Sequence, residues 1–362
     1  MKLTKPCFRD EFRIQSAYSL ILIFHGILDM SQVITKIQLL DLVKTLIAKG
    51  TQFVGPVAGP ADRFFFQYFN DAEKLTLDPA IMPTNSIKEF FFPKHEVLYQ
   101  FQRNGKELQL FDSVPFAGPQ IILGARPCDA ASLPILDKLF AWDYQDRFYQ
   151  SRREKSTVIT LACKEADANC FCTSVGLSPA TTEGADAELL DCGDMLYEVR
   201  TFSDKGKKLF EGKTTKSDKT GKTAAEPEKK FDYKKVEKYL SENFDDSVYA
   251  ETGLRCVGCG ACTYLCPTCH CFDIVDEGGT TKGQRVKNWD TCQFATFTNH
   301  ASGHNPRSNQ AQRQRNRIQH KFCIYPGKFG VVLCTGCGNC TRDCTASLGV
   351  RPVLEYLHEK AK

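Results

Sequence analysis

Eight of the chain's cysteines fall into two runs with one spacing, C-x2-C-x2-C-x3-C. The runs are Cys256, Cys259, Cys262 and Cys266, then Cys334, Cys337, Cys340 and Cys344. Three thiolates at this spacing wrap a short loop around one 4Fe-4S cluster, while the fourth points toward the other cluster. The spacing therefore predicts two 4Fe-4S clusters.

This spacing is the bacterial ferredoxin pattern, in which two runs exchange their fourth ligands. The predicted ligand sets are Cys256, Cys259, Cys262 and Cys344 for the first cluster, and Cys334, Cys337, Cys340 and Cys266 for the second. Glycines in both loops permit the positive φ angles that such loops need. Zinc sites also use C-x2-C pairs, but as separated pairs, so the spacing favours iron.

Four further cysteines follow two predicted strands. The apolar segment Ile121–Leu123 leads to Cys128 and a helix, and the strand Thr157–Leu161 runs into Cys163, with Cys170 and Cys172 shortly after. Ligands gather at the carboxyl ends of strands in an α/β sheet, so Cys128 and Cys163 are expected to meet. Two interpretations stay open for the four residues, a third 4Fe-4S cluster or buried structural thiols.

Residues 267–333 separate the runs and form a long insertion with three more cysteines, Cys269, Cys271 and Cys292. With three ligands evident, another metal centre and a redox-active thiol site both stay open. The insertion is also basic, and no acidic residue lies between Thr291 and Arg342. Its cations would compensate anionic clusters or dock an acidic partner; they are Arg313, Arg315, Arg317 and Lys321. The remaining cysteines, Cys7, Cys192 and Cys323, are interpreted as small hydrophobes.

The elements that position these residues predict an α+β fold. Apolar spacing predicts a helix over residues 31–49, with Ser31 as its cap, and strands over Phe64–Phe69, Phe90–Phe92 and Val97–Phe101. Residues 187–199 are predicted as a hairpin turning at Cys192.

The predicted organisation has four parts. They are a poorly ordered extension (1–30), an α/β domain (31–203), a Lys-rich linker and helix (204–248), and a helical, loop-rich, ferredoxin-like dicluster domain (249–362). The linker prediction rests on twelve lysines between residues 205 and 238.

The 47 basic and 43 acidic residues nearly cancel, which argues against a nucleic-acid partner. The apolar stretch 18–28 is too short to span a membrane and lacks a cleavage site after it, so we expect a cytoplasmic protein with no membrane span. Clustered cysteines in a long chain favour metal ligation in a reducing compartment over disulfides.

The motifs together resemble the iron-sulfur β subunits of cytosolic nickel-iron hydrogenases (sulfhydrogenases) and the A subunit of anaerobic sulfite reductase. The resemblance rests on Arg126-Pro-Cys128-Asp, Cys163 with Cys170-Phe-Cys172, Cys266-Pro-Thr-Cys269-His-Cys271, Trp289-Asp-Thr-Cys292 and Arg315-Asn-Arg317. It implies a relay subunit of an anaerobic oxidoreductase, carrying electrons between a flavin/NAD(P)-binding or ferredoxin-linked subunit and a hydrogenase or sulfite-reductase-type catalytic subunit.

No catalytic residues are evident in the sequence: there is no paired-carboxylate site, no nucleophile with a base, and no dinucleotide motif. Two other functions stay open, a reductase whose cluster faces a disulfide or sulfur substrate, and a zinc-stabilised binding module. The terminal reaction and the direction of electron flow are not encoded in any motif.

Overall fold

The computed structural model describes residues 30–116 and 118–361. The predicted extension and Cys7 therefore lie outside the described residues, apart from Met30. The strands are β1 Ser31–Thr35, β2 Gln52–Ala58, β3 Phe64–Phe69, β4 His95–Asn104, β5 Glu107–Asp112, β6 Gln120–Ala125, β7 Ser156–Leu161, β8 Ala187–Asp191, β9 Leu196–Thr201, β10 Thr215–Ser217, β11 Phe272–Gly278 and β12 Lys282–Trp289. The helices are α1 Lys36–Ala48, α2 Pro127–Ala130, α3 Ser132–Phe140, α4 Arg147–Lys155, α5 Asp204–Phe210, α6 Tyr233–Glu242, α7 Val248–Arg255, α8 Ala261–Tyr264, α9 Gln310–Gln319, α10 Tyr325–Phe329, α11 Asn339–Arg342 and α12 Val350–Lys360.

An eight-stranded sheet dominates the first half of the chain, in the order β10-β1-β9-β8-β7-β6-β2-β3. Its centre, β2-β6-β7-β8, is parallel. Both faces are covered, since Ile121 and Leu123 of β6 pack into one hydrophobic cluster and Ile122 into another. This two-sided burial explains why β6 reads as a continuous apolar run.

The carboxyl ends of β6 and β7 carry the N-terminal cysteines, as predicted. Cys128 lies in the first turn of α2, immediately beyond β6. Cys163 follows β7, and Cys172 opens a short 3-10 turn nearby.

A second sheet joins the two halves of the chain. The hairpin β11–β12 comes from the insertion between the cysteine runs, and β12 pairs with β4 from the N-terminal half, giving the order β11-β12-β4-β5. The predicted division at residues 203 and 249 stays a prediction, and this sheet crosses it. The helical part packs around a third hydrophobic cluster, which contains residues of α6, α9 and α12 together with Phe171 and Phe231.

Two local predictions are wrong. Ser31 does not cap a helix: residues 31–35 pair with β9 and β10, and Thr35 caps α1 through a capping box with Gln38. The aromatic run Phe90–Phe92 is not a strand, because residues 87–90 form a 3-10 turn that buries Phe91 and Phe92. The predicted hairpin over residues 187–199 is confirmed as β8–β9.

The Lys-rich segment forms α5, β10 and an extended strap. The strap lies across the first half of the chain: Ala224 N–H donates to Cys163 O at 2.7 Å, and Thr173 Oγ1 donates to Pro227 O at 2.8 Å. The segment packs on the rest of the protein through its few apolar residues, because Phe231 is buried while most of the lysines are exposed.

Candidate iron-sulfur centres

The two ferredoxin-type runs fold alike. Each forms a loop with two left-handed glycines and then one helical turn, α8 in the first run and α11 in the second. Gly260 has φ 76° and ψ −7°, and Gly338 has φ 78° and ψ −8°. The predicted use of glycine for positive φ is confirmed at these positions.

The structure brings the second predicted ligand set together. Burial raises the pKa of Cys334 to about 12, with the charges of Cys266 and Cys340 adding to it. Cys337 likewise lies among Cys266, Cys334 and Cys340. Cys266, from the first run, therefore lies near the three cysteines of the second run, and its role as their fourth ligand stays a prediction.

In the first predicted set, Cys256 directly follows the C-terminus of α7. Desolvation raises the pKa of the Cys262 thiol to about 12, and Cys256 lies close enough to contribute. The turn that carries Cys344 is tied to this region, because Arg255 Nη2 donates to Ala346 O at 3.0 Å. Cys259 is exposed, so this loop reaches the protein surface.

Hydrogen bonds to sulfur support thiolate ligands in both sets. Gln310 Nε2 and Gln314 Nε2 of α9 donate to Cys256 Sγ at 3.2 and 3.0 Å. The backbone N–H of Leu348 donates to Cys344 Sγ at 3.3 Å, and that of Gly336 to Cys334 Sγ at 3.4 Å. Such N–H···S bonds tune cluster potentials. The two glutamines were missed in the sequence, because nothing in their spacing pointed to the cysteines.

Three buried basic side chains lie near the cysteines: Lys88, Arg317 and Lys321, each at most 3% exposed. Burial lowers the pKa of Lys88. Among the residues described, no carboxylate forms an ion pair with any of them. Lys321 Nζ donates to Cys266 Sγ at 3.2 Å and to Leu333 O at 2.9 Å. Burial lowers its pKa, but Cys266, Cys269 and Cys334 outweigh that effect and raise it above the usual value. Buried charges need compensation, so this donor set fits anionic thiolate-ligated clusters.

The arginines of the insertion differ in whether they lie near the cysteines. Arg317, like Lys321, lies near cysteines, and its Nε and Nη2 have no hydrogen-bond partner among the described residues. Arg313 instead donates to Gln310 Oε1 of the same helix, α9, at 2.8 Å. Arg315 forms an ion pair with the exposed Asp245. Lys88 was missed in the sequence because it comes from the N-terminal half.

The N-terminal cysteines lie against the second run. Burial raises the pKa of Cys128, and Cys337, Cys163 and Cys170 are near enough to add to the shift. Cys172 is close to Cys163. Phe171 N–H donates to Gly336 O at 2.9 Å, so the backbones of the two cysteine loops are in contact.

An ion pair fixes this contact. Arg342 of α11 donates to Asp167 Oδ2 at 2.6 Å, and Asp167 also accepts the N–H groups of Asn169 and Cys170. The loop that carries Cys170 and Cys172 is thereby held on the second ferredoxin-type run.

The three cysteines of the insertion lie at two places in the structure. Cys269 lies near Cys266, and Cys271 lies near Cys292. The proximity of Cys271 lowers the pKa of Cys292 to about 6. Within the described ranges, no three His, Cys, Asp or Glu side chains are grouped as ligands of a single metal ion.

Comparison with known proteins supports this chemistry. Residues 255–348 match the model of a family described as a 4Fe-4S dicluster domain. The chain is 29% identical over 325 residues to sulfhydrogenase 2 subunit beta of Pyrococcus furiosus, covering 84% of this chain and 93% of that protein. The chain is therefore similar to a hydrogenase β subunit over most of its length. It is a 4Fe-4S electron-transfer protein, and the predicted resemblance is confirmed.

No solved structure matches this iron-sulfur protein. Over residues 30–116 and 118–361, it has no helix with the length and apolar character needed to cross a membrane.

Proposed function

We propose that this chain is the electron-relay subunit of an anaerobic oxidoreductase, located in the cytoplasm. It would connect a flavin/NAD(P)-binding or ferredoxin-linked subunit with a hydrogenase or sulfite-reductase-type catalytic subunit. Two 4Fe-4S clusters would be held by the two ferredoxin-type ligand sets, and a third by Cys128, Cys163, Cys170 and Cys172. Bound clusters would supply one-electron transfer, which needs no substrate-transforming residue in this chain.

The observation that carries this proposal is the continuity of the three cysteine sets. Cys266 lies among the cysteines of the second run, and Cys337 of that run lies near Cys128. The sets thus follow one another from the exposed Cys259 to the carboxyl ends of β6 and β7. Closely spaced one-electron sites in a buried, cationic interior are what a relay requires.

Replacing Cys340 by Ser should abolish electron transfer between the two partner subunits, because it removes one ligand of the second set at the middle of the series. Each partner's own half-reaction, measured with artificial dyes in the purified complex, should be unchanged. Cys323→Ser is the control, since Cys323 is a half-buried thiol outside these sets. Loss of the catalytic subunit's own half-reaction in the Cys340→Ser complex would contradict a relay role.

Replacing Cys163 by Ala should lower the iron content of the anaerobically purified chain from about twelve to about eight atoms, since a third 4Fe-4S cluster would lose a ligand. Iron and acid-labile sulfide are measured against protein concentration. Cys192→Ala is the matched control, because Cys192 is also half-buried in the N-terminal half but lies at the β8–β9 turn. About eight irons in the parent chain, unchanged by Cys163→Ala, would mean that the four residues are structural thiols.

A further inference from the structure

The strand β5 forms one edge of the second sheet and lacks the usual protection of an edge strand. All six of its residues are exposed, and Leu108 and Leu110 are 60% and 59% exposed. The strand contains no proline, and its pairing with β4 has no bulge. Natural edge strands are shielded by proline, bulges, charges or a covering segment, because an open apolar edge pairs readily with another strand. The β5 edge is therefore suited to bind a further strand.

The outward-facing backbone groups of β5 belong to its even-numbered residues. Ser113 N–H, one position beyond the strand, donates to Leu98 O of β4 at 3.3 Å. Along an antiparallel strand, the residues that bond to one neighbour alternate with residues that point away from it. Leu108, Leu110 and Asp112 therefore turn their N–H and C=O groups away from β4. Within the part of the chain that the structure describes, no hydrogen bond reaches these groups.

The other edge strands of the two sheets are covered, short or acidic. Beside β3, Phe66 N–H donates to Asn85 Oδ1 at 2.7 Å and Thr84 N–H donates to Phe64 O at 2.8 Å, so residues 84 and 85 cover this edge. The edge strand β10 has only three residues. The edge strand β11 has three acidic residues and no basic one; they are Asp273, Asp276 and Glu277. Among these edges, β5 is the one that is both open and apolar.

The β5 strand is complementary to a second copy of itself in one antiparallel register. Two copies that pair through their even-numbered residues are related by a two-fold axis that passes through a residue. With the axis at Gln109, Leu108 of each copy lies opposite Leu110 of the other. In the same register, Lys106 of the β4–β5 turn lies opposite Asp112 of the second copy. Apolar pairs and opposite charges across two strands both stabilise the pairing.

Charge distinguishes this register from its neighbours. An axis at Leu108 would place Lys106 opposite Leu110, and an axis at Leu110 would place Asp112 opposite Leu108. The axis at Gln109 is the one that brings opposite charges together, and it does so at both ends of the interface. Asp112 is available for this contact, because its side chain is 75% exposed and its ion pair with the half-exposed Arg147 is long, at 3.5 Å.

We propose that this chain forms a two-fold dimer through β5, with the axis at Gln109. The second sheets of the two copies would then join into one continuous sheet of eight strands. The inference does not depend on the proposed relay function, because no cysteine takes part in the pairing. The dimer would hold two copies of the chain, each with its own complete cysteine sets.

The first test is sedimentation equilibrium of the full chain, purified anaerobically, over a wide range of protein concentrations. The parent chain should pass from the monomer mass to the dimer mass as its concentration rises. Lys106→Asp and Asp112→Lys should each weaken the dimer about tenfold, because each places like charges opposite one another at both ends of the interface. The double variant Lys106→Asp/Asp112→Lys should regain most of the parent affinity, since opposite charges face each other again.

The second test locates the interface by hydrogen exchange. The amides of Leu108, Leu110 and Asp112 should exchange more slowly as the concentration rises, whereas the amides of β11 provide the control and should not change. Leu110→Pro removes an outward N–H without breaking the β4–β5 ladder, so it should abolish the dimer while the chain stays folded.

Three results would overturn the proposed dimer. One is a parent chain that stays monomeric at every concentration. Another is a dimer whose affinity is unaffected by the charge variants and by Leu110→Pro. The third is protection of the β5 amides only when other subunits of the complex are bound, which would assign this edge to a different partner.

Discussion

Substitution of Gly336 by Ala should destabilise the protein by about 3 kcal/mol or more, the sum of backbone strain and overpacking. Gly336 has φ +67°, which an alanine adopts only at a cost. A Cβ there would also lie 2.5 Å from the backbone N and Cα of Cys172 and 2.6 Å from the carbonyl carbon of Phe171. Because these neighbours are backbone atoms, the contact between the second run and the Cys170–Cys172 loop would have to open.

Gly330→Ala provides a matched control for this prediction. Gly330 has a similar φ of +73°, but beyond the local backbone no atom of the described residues lies within 4 Å of the place that an alanine methyl group would take. The Gly330→Ala variant should therefore lose only about 1 kcal/mol of folding stability, from backbone strain alone. The measurement is anaerobic thermal unfolding of both variants, with iron content recorded at each temperature. Equal midpoints for the two variants would show that the loop contact contributes nothing to stability.

Substitution of Lys321 by Met should lower the reduction potential of one cluster by roughly 100–150 mV. The buried ammonium donates to Cys266 Sγ at 3.2 Å. Removing a unit charge about 5 Å from the added electron, at an effective dielectric constant near 20, is worth about 3 kcal/mol. One tenfold change in a one-electron equilibrium corresponds to about 59 mV, which gives the stated shift. The sign is negative, because a nearby cation stabilises the reduced, more anionic cluster.

Anaerobic EPR redox titration checks the shift, and the variants must keep the parent iron content. Lys321→Arg retains the charge and should restore most of the potential. Lys328→Met is the control on the same segment, because Lys328 is exposed and stacks on Trp142 away from the cysteines. An unchanged potential in Lys321→Met, with full iron content, would show that Lys321 is neutral or does not act on this cluster.

The sequence predicted the parts of the site whose geometry is local. Ligand spacing within a run is a property of a few consecutive residues, so 4Fe-4S clusters could be predicted from the two runs, and the family match over residues 255–348 supports them. The number of clusters stays a prediction. The approach of Cys128 to Cys163 was likewise predictable, because parallel strands end at one edge of a sheet. Apolar strand patterns gave β3, β7 and the β8–β9 hairpin correctly.

Local pattern failed where a distant partner decided the conformation. Residues 31–35 follow a helical spacing, yet they pair with β9 and β10, which begin more than 150 positions later. Phe90–Phe92 have the composition of a strand, but burial against β6 and α3 favours a compact turn. Propensity is a weak prior, and long-range packing overrode it in both segments.

The amino-acid sequence by itself thus determined the chemistry of this protein: thiolate ligands in ferredoxin-type runs, and the metal clusters that such runs bind. Only the tertiary structure decided what surrounds them. Lys88 is far from the cysteine-rich segments in sequence, yet its side chain donates to the backbone of Cys269. Gln310 and Gln314 donate to the sulfur of Cys256. The loop at Gly336 packs against the backbone of Cys172. Spacing along the chain records which groups can bind a cluster, whereas charge compensation and the contact between cysteine sets depend on distances in space, which no local pattern encodes.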